Sequence, residues 1–561
     1  MKHGYMKHLS RLILASILFI SLLSSTMAYA TPEEGDQNDL SAEEIASAIA
    51  NGDVAAEEPE EWSANSGIST YASSQKALTT IGGATRYETS AAEALHSFSH
   101  ADTVIVTGGE TYADSIAGSS LAGALDAPIL LVNPSSLTSV SSDAIRTLGP
   151  RIIILGGTDV VSTNTENQLK QLASEVIRLQ GATRYETQME IYNYGVTNGY
   201  WTGDTAIVAT GEDFADALSI SPIAYQLKAP IFFANNSDAL PAAQLKALQS
   251  SGKTKILIVG GTNVVSSNAE NQLKKSGTVT RLGGALRYDT SRIINDYAVA
   301  NYGFTWEGVA FASGEKAPDS LGGGAMQGKQ KHLLALLDDN GPKAQVNVPV
   351  SGKPSSMIFL GGKDVYSNAF KAQVAFAKGY KLTDIEGFKV YIDAGHGQDS
   401  SGIGWGWDPG ATAGGYVEAN QTQQLADKVA NVLRNQYGLD VYVNKSGYYK
   451  LRQTQASMLD CGVLVSIHFN AGGGTGTESY IHSQNAAWGS TTLQNSVHSN
   501  LVSSLGLRDR GKGRMQLAVV SGKLPAVLLE ICFIDKSSDM QTYTSKIDNV
   551  AAGIAKGIAN A

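Results

Sequence analysis

Three copies of one motif constrain this chain more than any other feature. The sequence reads GGATRYETS from Gly82, QGATRYETQ from Gln180 and GGALRYDTS from Gly283. A second motif follows in step, as IILGGTDVV, LIVGGTNVV and IFLGGKDVY. Copies spaced about 100 residues apart have the size of small domains rather than of solenoid repeats. We therefore predict three related modules, at residues 76–177, 178–279 and 280–380.

The pattern inside each copy predicts an α/β fold. Apolar runs such as TVIVTG, PILLVN and RIIILGG alternate with amphipathic segments such as NTENQLKQLASE. Continuous apolar strands between such helices indicate a parallel sheet that is covered on both faces. The copies share no GxGxxG motif, P-loop, histidine or cysteine. Repetition without catalytic groups favours multivalent binding, in which several weak sites act together.

An arginine followed by a tyrosine recurs in every copy, at Arg86, Arg184 and Arg287. Two interpretations remain open from the residues alone. In the first, each arginine pairs with the acid of its own motif, because a buried arginine needs such a partner. In the second, the arginines contact an anionic ligand. The acids concerned are Glu88, Glu186 and Asp289.

The R-Y-[ED]-T openings, the YADSI and FADAL helix starts and the GG…V strand ends cover residues 76–380. Together they resemble the type 2 cell-wall-binding repeat of Gram-positive surface proteins. The resemblance implies three Rossmann-like modules packed as a pseudo-trimer. It also implies non-covalent attachment to an anionic secondary cell-wall polymer or teichoic acid near the module junctions. The third copy has a divergent middle segment, which leaves open whether all three junctions bind equally.

From Phe388 the repetition stops, and we predict a separate domain at residues 388–561. FKVYIDAGHG, GVLVSIHFNA and PAVLLEICFID have the composition of strands, with helical patterns between them. This alternation predicts an open α/β sheet, whose ligands gather beyond the carboxyl ends of its strands. His396, His468 and Glu530 fall at or near such ends. Glu418 falls in the first turn of the helix after the first strand and can face the same edge.

Two histidines and one carboxylate with a further open position are typical of catalytic zinc. Zinc polarises a carbonyl group and makes water more acidic, which amide hydrolysis requires. A second carboxylate must then move the proton, and Glu530 is the candidate. A lone histidine is more often a turn or core residue, and we assign His482 and His498 to that class.

The segments DAGHG, DPGA, LR at 451–452, SIHFNA and PAVLLEICFID occur in that order from about Val390 to the C-terminus. They resemble the zinc-dependent N-acetylmuramoyl-L-alanine amidases of the amidase 3 family. The resemblance implies that His396, Glu418 and His468 bind Zn²⁺ and that Glu530 is the catalytic carboxylate. The implied substrate is the amide that joins muramic acid to L-alanine in peptidoglycan.

This chain departs from the amidase pattern near the first histidine. Gln398 stands where the family usually has a second glycine, and SSGIGWGW is inserted before DPGA. The insertion places Trp405 and Trp407 beside the predicted metal site. A sugar-stacking lid and a self-packed loop both fit these tryptophans, since aromatic rings serve both purposes.

The N-terminus predicts export. A basic start, the apolar run LILASILFISLL and the small residues of MAYA are typical of a signal peptide at residues 1–30, cut after Ala30. The apolar run is shorter than the roughly 20 residues of a spanning helix, which disfavours an uncleaved anchor. We predict a disordered acidic leader at residues 31–75 and no later membrane span. The net charge of −10 argues against a nucleic-acid partner.

Two cysteines, Cys461 and Cys532, allow either one disulfide or two buried free thiols. We interpret the chain as a secreted, wall-associated autolysin with three wall-binding modules and one zinc amidase domain. Two alternatives are a zinc peptidase that cuts within the stem peptide and a wall-anchored surface protein whose C-terminal domain is inactive.

Overall fold

The protein is described by a computed structural model that covers residues 76–149, 151–235, 238–339, 348–402 and 404–561. The predicted signal peptide at residues 1–30 and the predicted acidic leader at 31–75 lie outside the described residues. Across the described ranges, no helix has both the length and the apolar content needed to cross a membrane.

The first repeat region alternates short strands with helices, as its sequence pattern predicts. Its helices begin at capped positions: the Thr85 and Ser162 side chains accept hydrogen bonds from the backbone amides of Glu88 and Thr165. The elements are β1 (Leu78–Ile81), α1 (Arg86–Ser97), β2 (Val104–Gly108), α2 (Ala113–Ala117), α3 (Ser119–Leu125), β3 (Ile129–Val132), α4 (Ser139–Leu148), β4 (Arg151–Leu155), α5 (Thr163–Leu169) and β5 (Glu175–Leu179).

The second and third regions repeat this order. The second contains α6 (Arg184–Thr197), β6 (Thr205–Thr210), α7 (Ala215–Leu227), β7 (Ile231–Ala234), α8 (Ala242–Ser250), β8 (Lys255–Val259), α9 (Ser267–Leu273) and β9 (Thr278–Leu282). The third contains α10 (Arg287–Tyr302), β10 (Thr305–Ala312), α11 (Gly323–Gln330), β11 (His332–Leu336), β12 (Ser356–Leu360) and α12 (Asn368–Lys378).

Each module is built on a four-stranded parallel sheet. The strand orders are β3-β2-β4-β5, β7-β6-β8-β9 and β11-β10-β12-β1. The edge strand of each sheet directly precedes an R-Y motif. In the third sheet this strand is β1, where Leu78 pairs with Met357 and Ile81 with Leu360. The first described strand therefore closes the three modules into a ring.

This arrangement confirms the predicted fold class of three α/β modules packed as a pseudo-trimer. The boundaries at 76–177, 178–279 and 280–380 stay predictions. The structure adds that a module boundary and a sheet boundary do not coincide, because the first described strand belongs to the third sheet.

Helices α3, α7 and α11 pack against one another where the three modules meet. Glycines permit this close approach. A Cβ atom on Gly123 would lie 1.8 Å from the Tyr225 backbone oxygen, and one on Gly324 would lie 2.2 Å from Ser221 Oγ. A Cβ atom on Gly328 would likewise lie 2.6 Å from the Cβ of Tyr225. The glycine-rich third segment, GGGAMQG, is thus a packing surface.

The C-terminal domain has an open seven-stranded sheet. The elements are β13 (Lys389–Gln398), β14 (Trp407–Asp408), β15 (Thr412–Ala413), β16 (Tyr416–Val417), α13 (Glu418–Tyr437), β17 (Asp440–Ser446), α14 (Arg452–Met458), β18 (Val463–Asn470), β19 (Thr477–His482), α15 (Ser490–Leu505), β20 (Asp509–Met515), β21 (Ala526–Phe533) and α16 (Ser537–Ala559). The strand order is β14-β13-β18-β21-β19-β20, and β17 also pairs with β13. Strands β17, β13, β18 and β21 are parallel, whereas β19 is antiparallel to β21.

The third module docks on the C-terminal domain through α12. The Asn368 backbone amide donates to Asp460 Oδ1 at 2.9 Å, and the Gln373 side chain donates to the Lys523 carbonyl at 3.3 Å. Asp460 and Lys523 lie just before β18 and β21. The contact therefore lies at the edge of the sheet where these strands begin, opposite the edge where they end. Cys461 and Cys532 are both buried and free, so the free-thiol alternative is the one observed.

Candidate functional site

Three predicted metal ligands meet at the carboxyl edge of the C-terminal sheet. His396 lies near the end of β13, Glu418 begins α13, and His468 lies near the end of β18. His396 Nε2 is 3.2 Å from Glu418 Oε2, and His468 Nδ1 is 3.2 Å from Glu418 Oε1. One ligand atom from each residue lies within 4.8 Å of the others. His482 and His498 are not members of this group.

The backbone around His396 is shaped to bring these side chains together. His396 itself adopts a φ of 67°, which is uncommon for a residue with a side chain, and Gly397 follows at 102°. Gly395 leaves room for the second histidine. A Cβ atom there would lie 2.3 Å from the His468 ring. A Cβ atom on Gly410 would lie 2.6 Å from His396 and 2.7 Å from Glu418.

Asp408, in the DPGA segment, orients the first histidine. His396 Nδ1 lies 2.9 Å from Asp408 Oδ2, so Nε2 faces the cluster. Asp408 in turn accepts hydrogen bonds from Ser401 Oγ at 2.7 Å and from the Gly410 amide at 2.9 Å. In metal sites, the imidazole nitrogen that does not bind the metal commonly donates to a carboxylate, which fixes the orientation of the ring. Sequence reasoning gave Asp408 no role, although the motif containing it was recognised.

The charges in the cluster are strongly coupled. Burial disfavours a protonated His396, yet the Glu418 and Asp408 carboxylates raise the pKa of His396 to about 9. Glu418 is buried, but the two imidazoles lower the pKa of its carboxyl group well below the usual range. Glu418 also accepts hydrogen bonds from the amides of Phe469 and Ala411, both at 2.9 Å. The carboxylate is therefore held ionised between two imidazole rings.

Glu530 lies beside His468, because the two residues are direct partners in the β18–β21 register. Its Oε2 atom is buried and has no hydrogen-bond partner among the described residues. Burial, together with the charges of Glu418 and Glu478, raises the pKa of Glu530 to about 7, against the attraction of His468. A carboxyl group with a pKa near 7 can both accept and donate a proton at neutral pH.

Glu478 is the direct partner of Glu530 in the β19–β21 register and is itself held by two other side chains. Arg510 Nε lies 3.1 Å from Glu478 Oε2, and the Asn470 side chain donates to Glu478 Oε1. The guanidinium of Arg510 also lies over the Phe533 ring. Glu478 is therefore occupied by other partners, whereas Glu530 presents an unbonded oxygen.

The three repeat arginines lie at the module junctions and not near the metal cluster. Arg86 donates to the Gly109 carbonyl at 2.7 Å and to Glu110 at 3.0 Å. The acid of the same motif is engaged elsewhere, because Glu88 accepts from the Ala84 amide and caps α1. The interpretation that each arginine pairs with its own motif's acid is therefore wrong for this motif. The local acid is needed at the helix N-terminus, where unpaired amides favour a carboxylate.

The other two arginines also donate to a backbone carbonyl, and each of them lies over an aromatic ring as well. Arg184 donates to the Gly211 carbonyl and lies over the Tyr112 ring, 5.5 Å from its centre. Arg287 donates to the Gly314 carbonyl and lies over the Phe214 ring at 5.9 Å. Both rings belong to the preceding module, so each arginine joins two modules.

The junction between the third and first modules differs. The position of Tyr112 and Phe214 is occupied there by Ala317, so the third module offers no ring at this position to cover Arg86. A cavity of about 810 Å³ lies at this junction, and Arg86, Tyr87, Lys316 and Ala317 are among the residues that line it. At the junction formed by the divergent third copy, Arg86 therefore borders a cavity.

An aspartate recurs at the same position in all three copies, as Asp114, Asp216 and Asp319. It was not among the candidate residues predicted from the sequence, although its recurrence could have identified it. Asp319 accepts a hydrogen bond from Thr89 of the first module at 3.1 Å. Burial raises the pKa of Asp114 to about 6. Burial and the neighbouring Asp213 raise the pKa of Asp216 to about 6 as well. These carboxyl groups are part of the contact between modules.

The burial of these carboxyl groups predicts that the repeat ring is more stable in mild acid than at neutral pH. An aspartate in the unfolded chain has a pKa of about 3.9, so between about pH 4 and pH 6 the folded state binds more protons. Stability should then fall as the pH rises through that window, by on the order of 2 kcal/mol for each group. Thermal unfolding of the full chain between about pH 4 and pH 7 measures this effect. Asp114→Asn and Asp216→Asn should each flatten the slope, and an unchanged slope in both variants would contradict the account.

Comparison with known proteins follows the same division of the chain. Residues 390–560 match the family described as N-acetylmuramoyl-L-alanine amidase, and residues 80–166, 178–270 and 281–371 match cell wall binding domain 2. The sporulation-specific N-acetylmuramoyl-L-alanine amidase of Bacillus subtilis is 36% identical over 181 residues, which are 31% of this chain and 68% of that protein. The chain belongs to the N-acetylmuramoyl-L-alanine amidase family.

Two further similarities extend beyond the amidase domain and include the repeats. The N-acetylmuramoyl-L-alanine amidase LytC of Bacillus subtilis is 27% identical over 489 residues, 85% of this chain and 93% of that protein. The solved structure of Cwp6 from Clostridium difficile is 24% identical and covers 86% of this chain and 79% of its own, with a TM-score of 0.49. The two family matches show that the amidase domain and three cell-wall-binding repeats occur together in this chain.

Proposed function

We propose that the C-terminal domain hydrolyses the amide between N-acetylmuramic acid and L-alanine in peptidoglycan, using zinc. One observation carries the proposal: two imidazoles and a carboxylate converge within 4.8 Å, and a carboxyl group with one buried, unbonded oxygen lies directly beside them. Family membership supports this choice of bond over one within the stem peptide.

The residues present fit a catalytic zinc ion. His396, Glu418 and His468 supply two nitrogen donors and one oxygen donor, the set that catalytic zinc takes in many hydrolases. Asp408 fixes the outer nitrogen of His396, so that the inner nitrogen is free to bind a metal. A zinc ion bound there would supply the Lewis acidity that polarises a carbonyl group and promotes ionisation of water near neutral pH.

Glu530 supplies the proton transfers. Its unpaired oxygen accepts a proton from the attacking water, and its raised pKa makes that transfer favourable near neutral pH. It then donates a proton to the departing alanine nitrogen, which leaves as an amine. Glu478 cannot replace it readily, because its oxygens are held by Arg510 and Asn470.

The repeats attach the enzyme to the wall. We assign this binding to an anionic secondary wall polymer or teichoic acid, with Arg86, Arg184 and Arg287 as its candidate contacts. Their common position at the junctions supports this assignment. The match to cell wall binding domain 2 supports it as well. Export by the N-terminal signal peptide completes the proposal, so the protein acts outside the membrane, in the wall.

The position of the repeats favours delivery over inhibition. Helix α12 docks where β18 and β21 begin, whereas His468 and Glu530 lie near the ends of these strands. The modules therefore hold the catalytic domain by the edge opposite the candidate site.

A zymogram with purified cell walls tests the metal requirement. The full chain should clear the walls, clear nothing after treatment with a chelator, and recover when zinc is returned. His396→Ala should bind substoichiometric zinc and show no clearing, because one of three ligands is lost. His482→Ala is the matched control, since this histidine lies outside the cluster and should leave clearing unchanged. Chelator-resistant clearing would contradict the proposal.

A further inference from the structure

Two tryptophans stand exposed beside the candidate metal centre. Trp405 is 77% exposed and Trp407 is 50% exposed, although tryptophan is ordinarily among the more buried residues. Their neighbour Tyr449 is 39% exposed. Of the two explanations that the sequence left open, this exposure argues against a loop that buries both rings by packing on itself.

Hydrogen bonds anchor the segment that carries the exposed rings. The Asp399 amide donates to the Gly406 carbonyl at 2.7 Å, and the Gly406 amide donates to Asp399 Oδ1 at 2.8 Å. These two bonds close the base of the insertion. Trp405 lies against Gly402, where a Cβ atom would come within 2.9 Å of the indole. One face of this ring therefore rests on backbone, and the other remains available.

The turn is joined to the metal cluster through hydrogen bonds. Ser401 donates to Asp408, which holds His396, and Trp407 directly precedes Asp408 in β14. The Tyr449 amide donates to the Ser400 carbonyl at 3.0 Å, which brings the third aromatic residue to the same turn. The turn that carries Trp405 and Trp407 is thus linked through Ser401 and Asp408 to His396 of the candidate metal cluster, and we call Trp405, Trp407 and Tyr449 together the aromatic surface.

We propose that this aromatic surface binds the sugar rings of the glycan strand on which the cleaved amide is carried. The inference rests on the proposed function and deepens it. In that substrate the muramic acid ring is joined to the scissile carbonyl by only a short lactyl link, so a sugar must lie at the rim of the metal centre. A pyranose presents a flat face of C–H groups that suits an exposed indole, whereas the stem peptide is polar and flexible. Ligand sites commonly combine such aromatic faces with a few fixed polar groups.

Two substrates separate this role from a structural one. The first is a peptidoglycan oligosaccharide that carries stem peptides, and the second is a lactoyl peptide with the same amide and no sugar. For the double variant Trp405→Ala/Trp407→Ala, we expect KM for the oligosaccharide to rise about fivefold to tenfold, with kcat little changed. Hydrolysis of the lactoyl peptide should be unaffected. The double variant with phenylalanine should recover most of the loss, and Met458→Ala, an exposed position on α14, is the matched control.

Binding without catalysis provides an independent measurement. Peptide-free glycan strands titrated into the full chain should bind the wild type about fivefold to tenfold more tightly than the alanine variant. Equal affinity in this titration would overturn the inference, as would an equal loss on both substrates. If the wild type hydrolysed neither substrate, the proposed function would fail, while the titration would still decide whether the surface binds glycan.

Discussion

Replacing Glu530 by glutamine should reduce kcat by on the order of 10²–10⁴, the usual contribution of a general acid–base group. Glutamine keeps the size of the side chain but can neither accept nor donate the proton at neutral pH. Zinc content and sedimentation with purified walls should be unchanged, because Glu530 is not among the three residues that form the candidate metal cluster. Release of soluble stem peptides from walls, metal content and sedimentation with walls, all measured on the same sample, check the three expectations.

Glu478→Gln is the matched control for this experiment. Glu478 is the direct partner of Glu530 in the β19–β21 register, but Arg510 and Asn470 already hold it. Its loss should lower activity much less than the loss of Glu530. Activity like that of the wild type in Glu530→Gln, or equal losses in both variants, would remove Glu530 from the mechanism.

Replacing Arg452 by alanine should destabilise the C-terminal domain by about 3–5 kcal/mol. Arg452 Nε lies 2.8 Å from Asp393 Oδ1, and their side chains are only 2% and 3% exposed. Asp393 also accepts a hydrogen bond from Ser466 at 2.7 Å, and Arg452 donates to the Ser446 carbonyl. The pair therefore links β13, β17 and β18 beneath the candidate site, and alanine would leave a buried carboxylate without its cation.

Hydrogen exchange in β13 and β18, followed through a urea titration of the full chain, measures the stability of the C-terminal domain separately from the stability of the repeats. Arg452→Met combined with Asp393→Ala should be less damaging than Arg452→Ala alone, because no unpaired charge remains. Protection equal to that of the wild type in Arg452→Ala would show that the ion pair contributes little.

The candidate site was largely predictable from the sequence because most of its residues lie near the carboxyl ends of strands. Parallel strands bring their carboxyl ends to one edge, so His396, His468 and Glu530 had to lie near one another once the strands were recognised. Asp408 and Arg452 were harder to predict. Each acts through contacts with residues that are brought close by the fold and that follow no regular sequence pattern.

The repeats show what self-similarity can and cannot predict. A repeated motif establishes that three modules exist, but its period does not say which strand begins a structural unit. For that reason the placement of β1 in the third sheet was not predicted. The pairing of Arg86 with the acid of its own motif was wrong, because the acid beside it in sequence is taken by the helix N-terminus.

The divergence of the third copy also has a physical reason that the sequence alone conceals. Gly324 and Gly328 of this copy lie against Ser221 and Tyr225, so side chains there would separate the central helices. Ala317 in the same copy leaves Arg86 without the ring that covers its two counterparts. Sequence comparison sees only a weaker repeat, whereas the structure shows a close helix contact and an open junction.

Mass spectrometry of purified peptidoglycan after digestion by the full chain tests the central claim most directly. If the domain is an N-acetylmuramoyl-L-alanine amidase, the products are stem peptides with a free L-alanine amino group and glycan whose muramic acid carries a free lactyl carboxyl group. These products should be absent after chelation, and Glu530→Gln should form them slower by on the order of 10²–10⁴. Intact muramoyl peptides with new termini inside the stem would contradict the account and identify a peptidase instead.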